Sequence, residues 1–228
     1  SALALNRMID RHIDRRNPRT VDRELPSGRM LMRDAAIVLV LGLTVYFICA
    51  ALISSFCLLL SPVPLVVFTA YPYMKRFTFF AHFGVGLGLA MAPLGGWFAV
   101  QHSFENIGPP ALLALFTLFW VAGFDIIYST LDELFDREAG LYSFSSRFGR
   151  KQALQISAAL HLVSFIIIGN LFVFYIKALA ALPFLALTGA LLYLEQKKSD
   201  DVELSFFKIN AVLGFAVFGM VLMGVYFP

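Results

Sequence analysis

Oxygen-bearing side chains recur at helical spacing in the segment NRMIDRHID, residues 6–14. Asn6, Asp10 and Asp14 follow one another at intervals of four residues. At about 100° per residue they drift only about 80° around a helix, so the three side chains share one stripe. Amide and carboxylate oxygens of this kind suit a hard cation such as Mg²⁺. For this stripe taken alone, a solvated face at a helix end is the competing interpretation.

A second stripe lies in FDIIYSTLDELFDREAG, residues 124–140, where Asp125, Asp132 and Asp136 are spaced by seven and four residues. On a continuous helix these three positions deviate by only about 40° in total. Asp125 falls within an apolar run, where an ionisable group is costly unless it faces a cavity or a cation.

Two carboxylate stripes on different helices predict a Mg²⁺ site rather than an ion-paired rim. The predicted ligands are Asn6, Asp10, Asp14, Asp125, Asp132 and Asp136, and we assign the catalytic role to Asp10, Asp125 and Asp132. Basic residues interleaved with the stripes could hold a diphosphate through charge-assisted hydrogen bonds. These residues are Arg11, Arg19, Arg23, Lys75 and Arg76.

The elements that must position these residues are membrane helices. The chain of 228 residues is 59% hydrophobic, and its mean hydropathy is +0.78. Apolar runs long enough to cross about 30 Å of hydrocarbon predict seven full spans. They lie at 35–53, 56–73, 79–100, 110–131, 152–174, 178–194 and 208–227. The end of an eighth helix precedes them and carries the first stripe. We therefore predict an all-α, polytopic transmembrane bundle forming one domain, 1–228.

The basic residues indicate how the bundle is oriented. Of the 18 Lys and Arg residues, 17 lie either before the first span or in clusters that follow every second span, which places them on one side of the membrane, and only Lys177 falls on the other. Positively charged loops lie on the cytoplasmic side of membrane proteins. Both stripes should therefore open to the cytoplasm, and the C-terminus at Pro228 should lie outside.

The two stripes, with their intervening segments, resemble the UbiA-type intramembrane aromatic prenyltransferases. The family's first motif, N-D-x-x-D-x-x-x-D, is matched at Asn6, Asp10 and Asp14, and its second at the aspartates of 124–140. Three further segments resemble segments of the family: NPRTVDRELPSG, YPYMKRFT and FKINAVLG. YPYMKRFT resembles a segment that is typical of the 4-hydroxybenzoate polyprenyltransferase branch. Arg7 stands where the commonest first motif has an Asp, and Glu24 stands in place of a Pro.

The resemblance implies a polyprenyl diphosphate donor, a 4-hydroxybenzoate-type aromatic acid as acceptor, two Mg²⁺ ions and a place in ubiquinone or menaquinone biosynthesis. It also implies a nine-helix fold, of which this chain would lack the first helix and most of the second. Aromatic faces expected around the prenyl cation are Tyr71, Trp97, Phe124 and Tyr128. The predicted partners are both substrates and the lipid bilayer, and no nucleic acid.

Two alternatives remain open from the sequence. The acceptor could be a dihydroxynaphthoate, because Arg7 and Glu24 depart from the commonest pattern. In another class of protein, an intramembrane cation transporter could also use buried aspartates. A transporter is expected to spread its charges towards the middle of the membrane. Here both stripes reach the basic rim, which favours diphosphate chemistry.

Overall fold

The computed structural model describes residues 2–227, and every regular element within them is a helix. Ser1 and Pro228 lie outside the described residues, as does the predicted external C-terminus. The α-helices are α1 (Ala2–Asp14), α2 (Met32–Ile53), α3 (Ser55–Leu60), α4 (Pro62–Met74), α5 (Ala81–Gln101), α6 (Gly108–Ser129), α7 (Glu133–Glu138), α8 (Phe144–Phe148), α9 (Arg150–Leu171), α10 (Leu182–Lys197) and α11 (Asn210–Tyr226). Short 3₁₀ turns lie at Thr130–Asp132 and Leu179–Ala181, and π-helical segments at Phe172–Ile176 and Glu203–Ile209.

Within residues 2–227, seven helical stretches are long and apolar enough to cross a membrane, and each overlaps a predicted span. They are Met32–Ile53, Ser55–Met74, Ala81–Gln101, Gly108–Glu138, Arg150–Ile176, Leu179–Lys197 and Glu203–Tyr226. Large apolar side chains on them remain exposed, with Leu52 at 81% and Leu179 at 83%. Such surfaces suit a hydrocarbon solvent, in which helices satisfy their own backbone groups. The prediction of an all-α transmembrane bundle is confirmed.

The helices pack in an order that makes α6 central to the bundle. The short α1 contacts α2 and α4, α4 packs on α5, α5 on α6, and α6 on α9. Beyond α9, α10 and α11 complete the bundle, and Phe116, Ile168, Leu213 and Met220 form a fully buried core between them and α6. Helix α6, which carries Asp125, is therefore packed between α5 on one side and α9 on the other.

A ladder of side-chain hydrogen bonds fixes α9 against α6. Polar residues spaced four and three apart on α9 donate to backbone carbonyl oxygens of α6. The bonds are Ser157 Oγ to Gly123 O at 2.7 Å, His161 Nε2 to Trp120 O at 3.2 Å, and Ser164 Oγ to Phe116 O at 3.1 Å. A carbonyl oxygen can only accept, so Nε2 of His161 carries the proton. Small and polar residues are the usual means of close helix packing in membranes.

The helix that carries the second stripe is interrupted, contrary to the continuous helix that we predicted. The hydroxyls of Ser129 and Thr130 donate to carbonyl oxygens three residues earlier, at 2.8 and 2.7 Å. Such bonds compete with the regular helical pattern. The chain tightens into the 3₁₀ turn Thr130–Asp132 before α7 begins. Asp125 therefore lies on α6, whereas Asp132 and Asp136 lie in and beyond the break.

Candidate active site

The first stripe lies on the buried face of α1. Asp10 and Asp14 are 3% and 5% exposed, although both are charged residues at the polar end of the helix. Asn6 is one turn earlier on the same face, and its Nδ2 donates to the Tyr71 hydroxyl of α4 at 2.7 Å. The four-residue spacing thus places all three side chains against the neighbouring helices.

Asp10 has two basic neighbours from the end of α4. Lys75 Nζ lies 2.7 Å from Asp10 Oδ2, and Arg76 Nη2 lies 3.8 Å from Oδ1. Within residues 2–227, the buried Oδ1 has no hydrogen-bond partner. Burial raises the pKa of Asp10, while the charge and hydrogen bond of Lys75 oppose that shift. A cation close to Oδ1 would therefore be favourable.

Asp14 is paired with basic residues that lie close to it in the sequence. Arg23 Nη1 donates to both carboxylate oxygens of Asp14, at 2.8 and 2.9 Å. Arg7, which stands at the variant motif position, is 3.8 Å from the same carboxylate. Arg11, also predicted to bind diphosphate, is half-buried on α1 and is not among the residues paired with either stripe.

The loop after α1 reaches across the bundle to the second stripe. Arg19 Nε lies 2.9 Å from Asp132 Oδ1, Arg19 Nη2 bonds the other oxygen, and Asn17 Nδ2 donates to Oδ1 at 2.8 Å. The Arg19 guanidinium also lies over the Tyr128 ring, 4.8 Å from its centroid, and donates to its hydroxyl at 2.6 Å. Burial opposes the charge of Arg19, but the hydrogen bonds and charge of Asp132 outweigh it and raise the pKa of Arg19.

Asp125 is paired with a residue to which the sequence analysis gave no role. His82 Nδ1, in the first turn of α5, lies 2.7 Å from Asp125 Oδ2. The two residues are 43 positions apart, and His82 belongs to no spacing pattern, so no sequence signal pointed to the contact. The carboxylate of Asp125 remains 22% exposed and can still meet a ligand.

The loop after α1 and Lys75 connect the two stripes. Arg23 and Arg19 of that loop pair with Asp14 of the first stripe and with Asp132 of the second. Lys75, at the end of α4, bonds Asp10, and its backbone oxygen accepts from Tyr142 N at 2.7 Å in the segment that follows Asp136. Both stripes therefore face one shared region beside the end of α4.

The predicted aromatic residues are only partly brought together. Phe124 and Tyr128 both pack on Phe206, with ring centroids 5.2 and 4.3 Å apart. Trp97, in contrast, follows His82 by fifteen residues on α5, which is about 22 Å along the helix. The structure thus places Trp97 towards the other side of the membrane from the carboxylates.

The side chains of the two stripes are of the chemical type that binds a hard divalent cation. Carboxylate and amide oxygens are the protein ligands that Mg²⁺ prefers, and the unpartnered Oδ1 of Asp10 would gain from one. In the part of the chain from 2 to 227, however, no three His, Cys, Asp or Glu side chains converge on a single point. Asp10, Asp14 and Asp132 are instead paired with Lys75, Arg23 and Arg19. Metal binding would require some basic side chains to change partners.

A largely apolar cavity of about 760 Å³ lies between α2, α3, α4, α5 and α6. Leu87, Met91, Phe98, Leu115 and Leu118 are among the residues that line it. Leu118 precedes Asp125 by seven residues, about 10 Å along α6. The cavity therefore begins a short distance from the carboxylates and extends towards the opposite side of the bundle.

The sequence is similar to several proteins named as prenyltransferases. A polyprenyl transferase of Arthrobotrys oligospora is 34% identical over 63% of this chain and 39% of its own length. A 4-hydroxybenzoate octaprenyltransferase of Aliivibrio salmonicida is 31% identical over 67% of this chain and 53% of its own length. The chain thus spans about half the length of these relatives. The corresponding enzyme of Haemophilus ducreyi is 28% identical over 97% of this chain and 80% of its own length.

Two solved structures share the fold. A UbiA homologue from Aeropyrum pernix superposes with a TM-score of 0.86 at 30% identity, covering 98% of this chain and 84% of that one. A structure of digeranylgeranylglyceryl phosphate synthase in membranes gives a TM-score of 0.71 over 98% and 80%, and at 18% identity it supports the fold alone. The model of the UbiA prenyltransferase family matches residues 1–212, a region that contains both carboxylate stripes. The chain belongs to the UbiA prenyltransferase family.

Proposed function

We propose that this protein transfers a polyprenyl group from a polyprenyl diphosphate to an aromatic acid of the 4-hydroxybenzoate type, as a step in quinone biosynthesis. One observation carries the proposal: two carboxylate stripes from separate helices face a shared region among basic side chains. Lys75 and Arg19 are at the centre of it, each bonded to a motif aspartate. The names of the relatives support the choice of acceptor.

The charges of the region favour a diphosphate bound together with divalent cations. The carboxylates of Asp10, Asp14, Asp125, Asp132 and Asp136 are balanced by the basic side chains of Arg7, Arg19, Arg23, Lys75 and Arg76. A diphosphate added to this balanced set would leave an excess of negative charge. Two Mg²⁺ ions would offset it, held by Asn6, Asp10, Asp14, Asp125, Asp132 and Asp136.

The chain's own residues would bind and orient the diphosphate and shield the cation that its departure leaves behind. Bound Mg²⁺ would supply charge stabilisation to the departing diphosphate. The allylic C–O bond breaks, and its electron pair leaves with the diphosphate, to which Arg19 and Lys75 donate hydrogen bonds. Aromatic faces attract the remaining carbocation, and Phe124, Tyr128 and Phe206 offer three contiguous rings. The electron-rich acceptor ring forms the new C–C bond and then loses a proton.

The position of the site within the membrane supports the same function. The cavity that begins near Leu118 is lined mainly by apolar side chains, and such a lining suits an isoprenoid chain. By the distribution of Lys and Arg, the carboxylates open to the cytoplasm and the C-terminus lies outside. Asp10, Asp14 and Asp132 lie at or just beyond helix ends, and they are paired with Lys75, Arg23 and Arg19. A transporter would instead place them along a path through the bundle.

A direct test is an assay of purified protein in lipid nanodiscs with a radiolabelled prenyl diphosphate and a panel of aromatic acids. We expect labelled product with 4-hydroxybenzoate and Mg²⁺, no product in EDTA, and recovery when Mg²⁺ or Mn²⁺ is added back. Product formed only with a dihydroxynaphthoate would correct the acceptor and keep the reaction. Full activity in EDTA would contradict the proposed site.

A further inference from the structure

We propose that His82 is a positioning residue that fixes the orientation of the Asp125 carboxylate. This inference rests on the proposed function, because Asp125 matters in it as a ligand of the cation that accompanies the diphosphate. His82 Nδ1 lies 2.7 Å from Asp125 Oδ2. A carboxylate oxygen only accepts, so Nδ1 carries the proton and donates. With Oδ2 engaged in this way, the other oxygen of Asp125 is the one available to a ligand.

The hydrogen bond is well isolated from other polar contacts. The His82 side chain is 7% exposed, and within residues 2–227 its Nε2 has no hydrogen-bond partner. On one side the Phe144 ring covers the imidazole, with the two ring centroids 5.7 Å apart. Among the described residues, the bond to Asp125 is therefore the one polar contact of this buried ring, and substitution of His82 otherwise affects apolar packing alone.

Tight packing of α5 holds His82 in place relative to both stripes. A Cβ added at Gly86 would lie 2.5 Å from the backbone oxygen of Leu118, so the backbones of α5 and α6 touch one turn beyond His82. A Cβ at Gly84 would lie 2.6 Å from Cβ of Tyr71, so α5 is equally close to α4. The imidazole thus projects from a backbone that packs closely against both α4 and α6.

The break after α6 explains why such a support is needed. Because the 3₁₀ turn Thr130–Asp132 interrupts the helix, the α-helix alone does not set the positions of Asp125 and Asp136 relative to each other. His82, on a neighbouring helix, bonds Asp125 just before the interruption and gives that carboxylate a support that does not depend on the broken helix. Removal of a side chain that hydrogen-bonds to a metal ligand commonly lowers metal affinity or activity by about 10–100-fold.

The test compares His82→Leu, which keeps an apolar side chain of substantial volume, with His82→Asn, whose Nδ2 can replace the lost donor. Mn²⁺ binding to the purified protein with inorganic diphosphate is measured by electron paramagnetic resonance, alongside prenyl transfer and thermal unfolding. We expect His82→Leu to bind Mn²⁺ about 10–100-fold more weakly. His82→Asn should stay close to wild type. His102→Asn is the matched control, because His102 is exposed and has a left-handed backbone that Asn tolerates.

The outcomes separate this inference from the proposed function. A wild-type protein that neither binds Mn²⁺ nor transfers a prenyl group would refute both. A wild type that does both, with a His82→Leu variant of equal Mn²⁺ affinity, would refute the positioning role alone. If the ring served only to fill space, His82→Leu should keep Mn²⁺ affinity and stability, and the smaller His82→Asn should lose stability. That pattern would also overturn the inference.

Discussion

Asp125 combines features that a purely structural carboxylate would not need. It lies on a membrane helix, retains 22% side-chain exposure, and is bonded to a histidine rather than to one of the nearby Arg or Lys residues. We expect Asp125→Asn to keep its shape and its hydrogen-bonding capacity, and therefore to leave thermal stability nearly unchanged, since a neutral amide is cheaper to bury than a carboxylate. Prenyl transfer per folded enzyme should fall by about 10²-fold or more.

Asp200→Asn serves as the control for that experiment. The Asp200 side chain is 92% exposed in the loop after α10, and its ion pair with Arg150 is on the surface. Pairs of this kind contribute about 1 kcal/mol or less, so transfer and stability should both match wild type. A stable Asp125→Asn enzyme with near-normal transfer would show that the centre of the site lies elsewhere.

At this scale the sequence predicted the residue types of the site better than their partners. Spacing placed Asp10 and Asp14 on one buried face because helical geometry is local. The partner of Asp132 is Arg19, 113 residues away, and the partner of Asp125 is His82, 43 residues away. Such long-range pairs depend on how helices pack, and no spacing rule in the chain encodes them.

Among the elements, the contact between α5 and α6 is the one on which the site most depends. A Cβ at Gly86 would meet backbone oxygen of Leu118, which cannot move aside as a side chain could. We expect Gly86→Ala to push the two helices apart and to destabilise the protein by about 1–3 kcal/mol. The same displacement should carry His82 away from Asp125 and reduce prenyl transfer. Thermal unfolding in detergent and transfer per folded enzyme are the measurements.

Gly96→Ala is the matched control, because Gly96 lies on the same helix and has no atom within 4 Å of an added Cβ. Alanine is favoured over glycine in a helix by about 1 kcal/mol, so this variant should be as stable as wild type or slightly more so. Equal stability of the two variants would mean that the close approach at Gly86 is not needed.

The helices also show where pattern-based reasoning reached its limit. Hydropathy predicted all seven spans because an apolar run of sufficient length has few alternatives in a membrane. The break after α6 was missed because the apolar run continues through it. A signal was present in the adjacent hydroxyls of Ser129 and Thr130, whose bonds to the preceding turn compete with the helix.

At the scale of the whole molecule, hydropathy and charge lead to one arrangement of the chain. If each of the seven candidate spans crosses the membrane, the basic clusters, which recur after every second one, all lie on the same side. The loop between α5 and α6 should then face outside, whereas the loop after α10 should face the cytoplasm with the carboxylates. The orientation is thus a testable property of the entire bundle.

Two exposed loop positions, Glu105 and Asp200, can test this orientation in membrane vesicles. In a background with Cys49→Ala and Cys57→Ala, each is replaced separately as Glu105→Cys and Asp200→Cys. A membrane-impermeant maleimide should label only Glu105→Cys in right-side-out vesicles and only Asp200→Cys in inside-out vesicles. Both should be labelled after detergent treatment, which controls for thiol reactivity. Labelling of both from the same side would mean that the span count between them is wrong. The reverse pattern would place the carboxylates on the outer face, where a cytoplasmic diphosphate could not reach them.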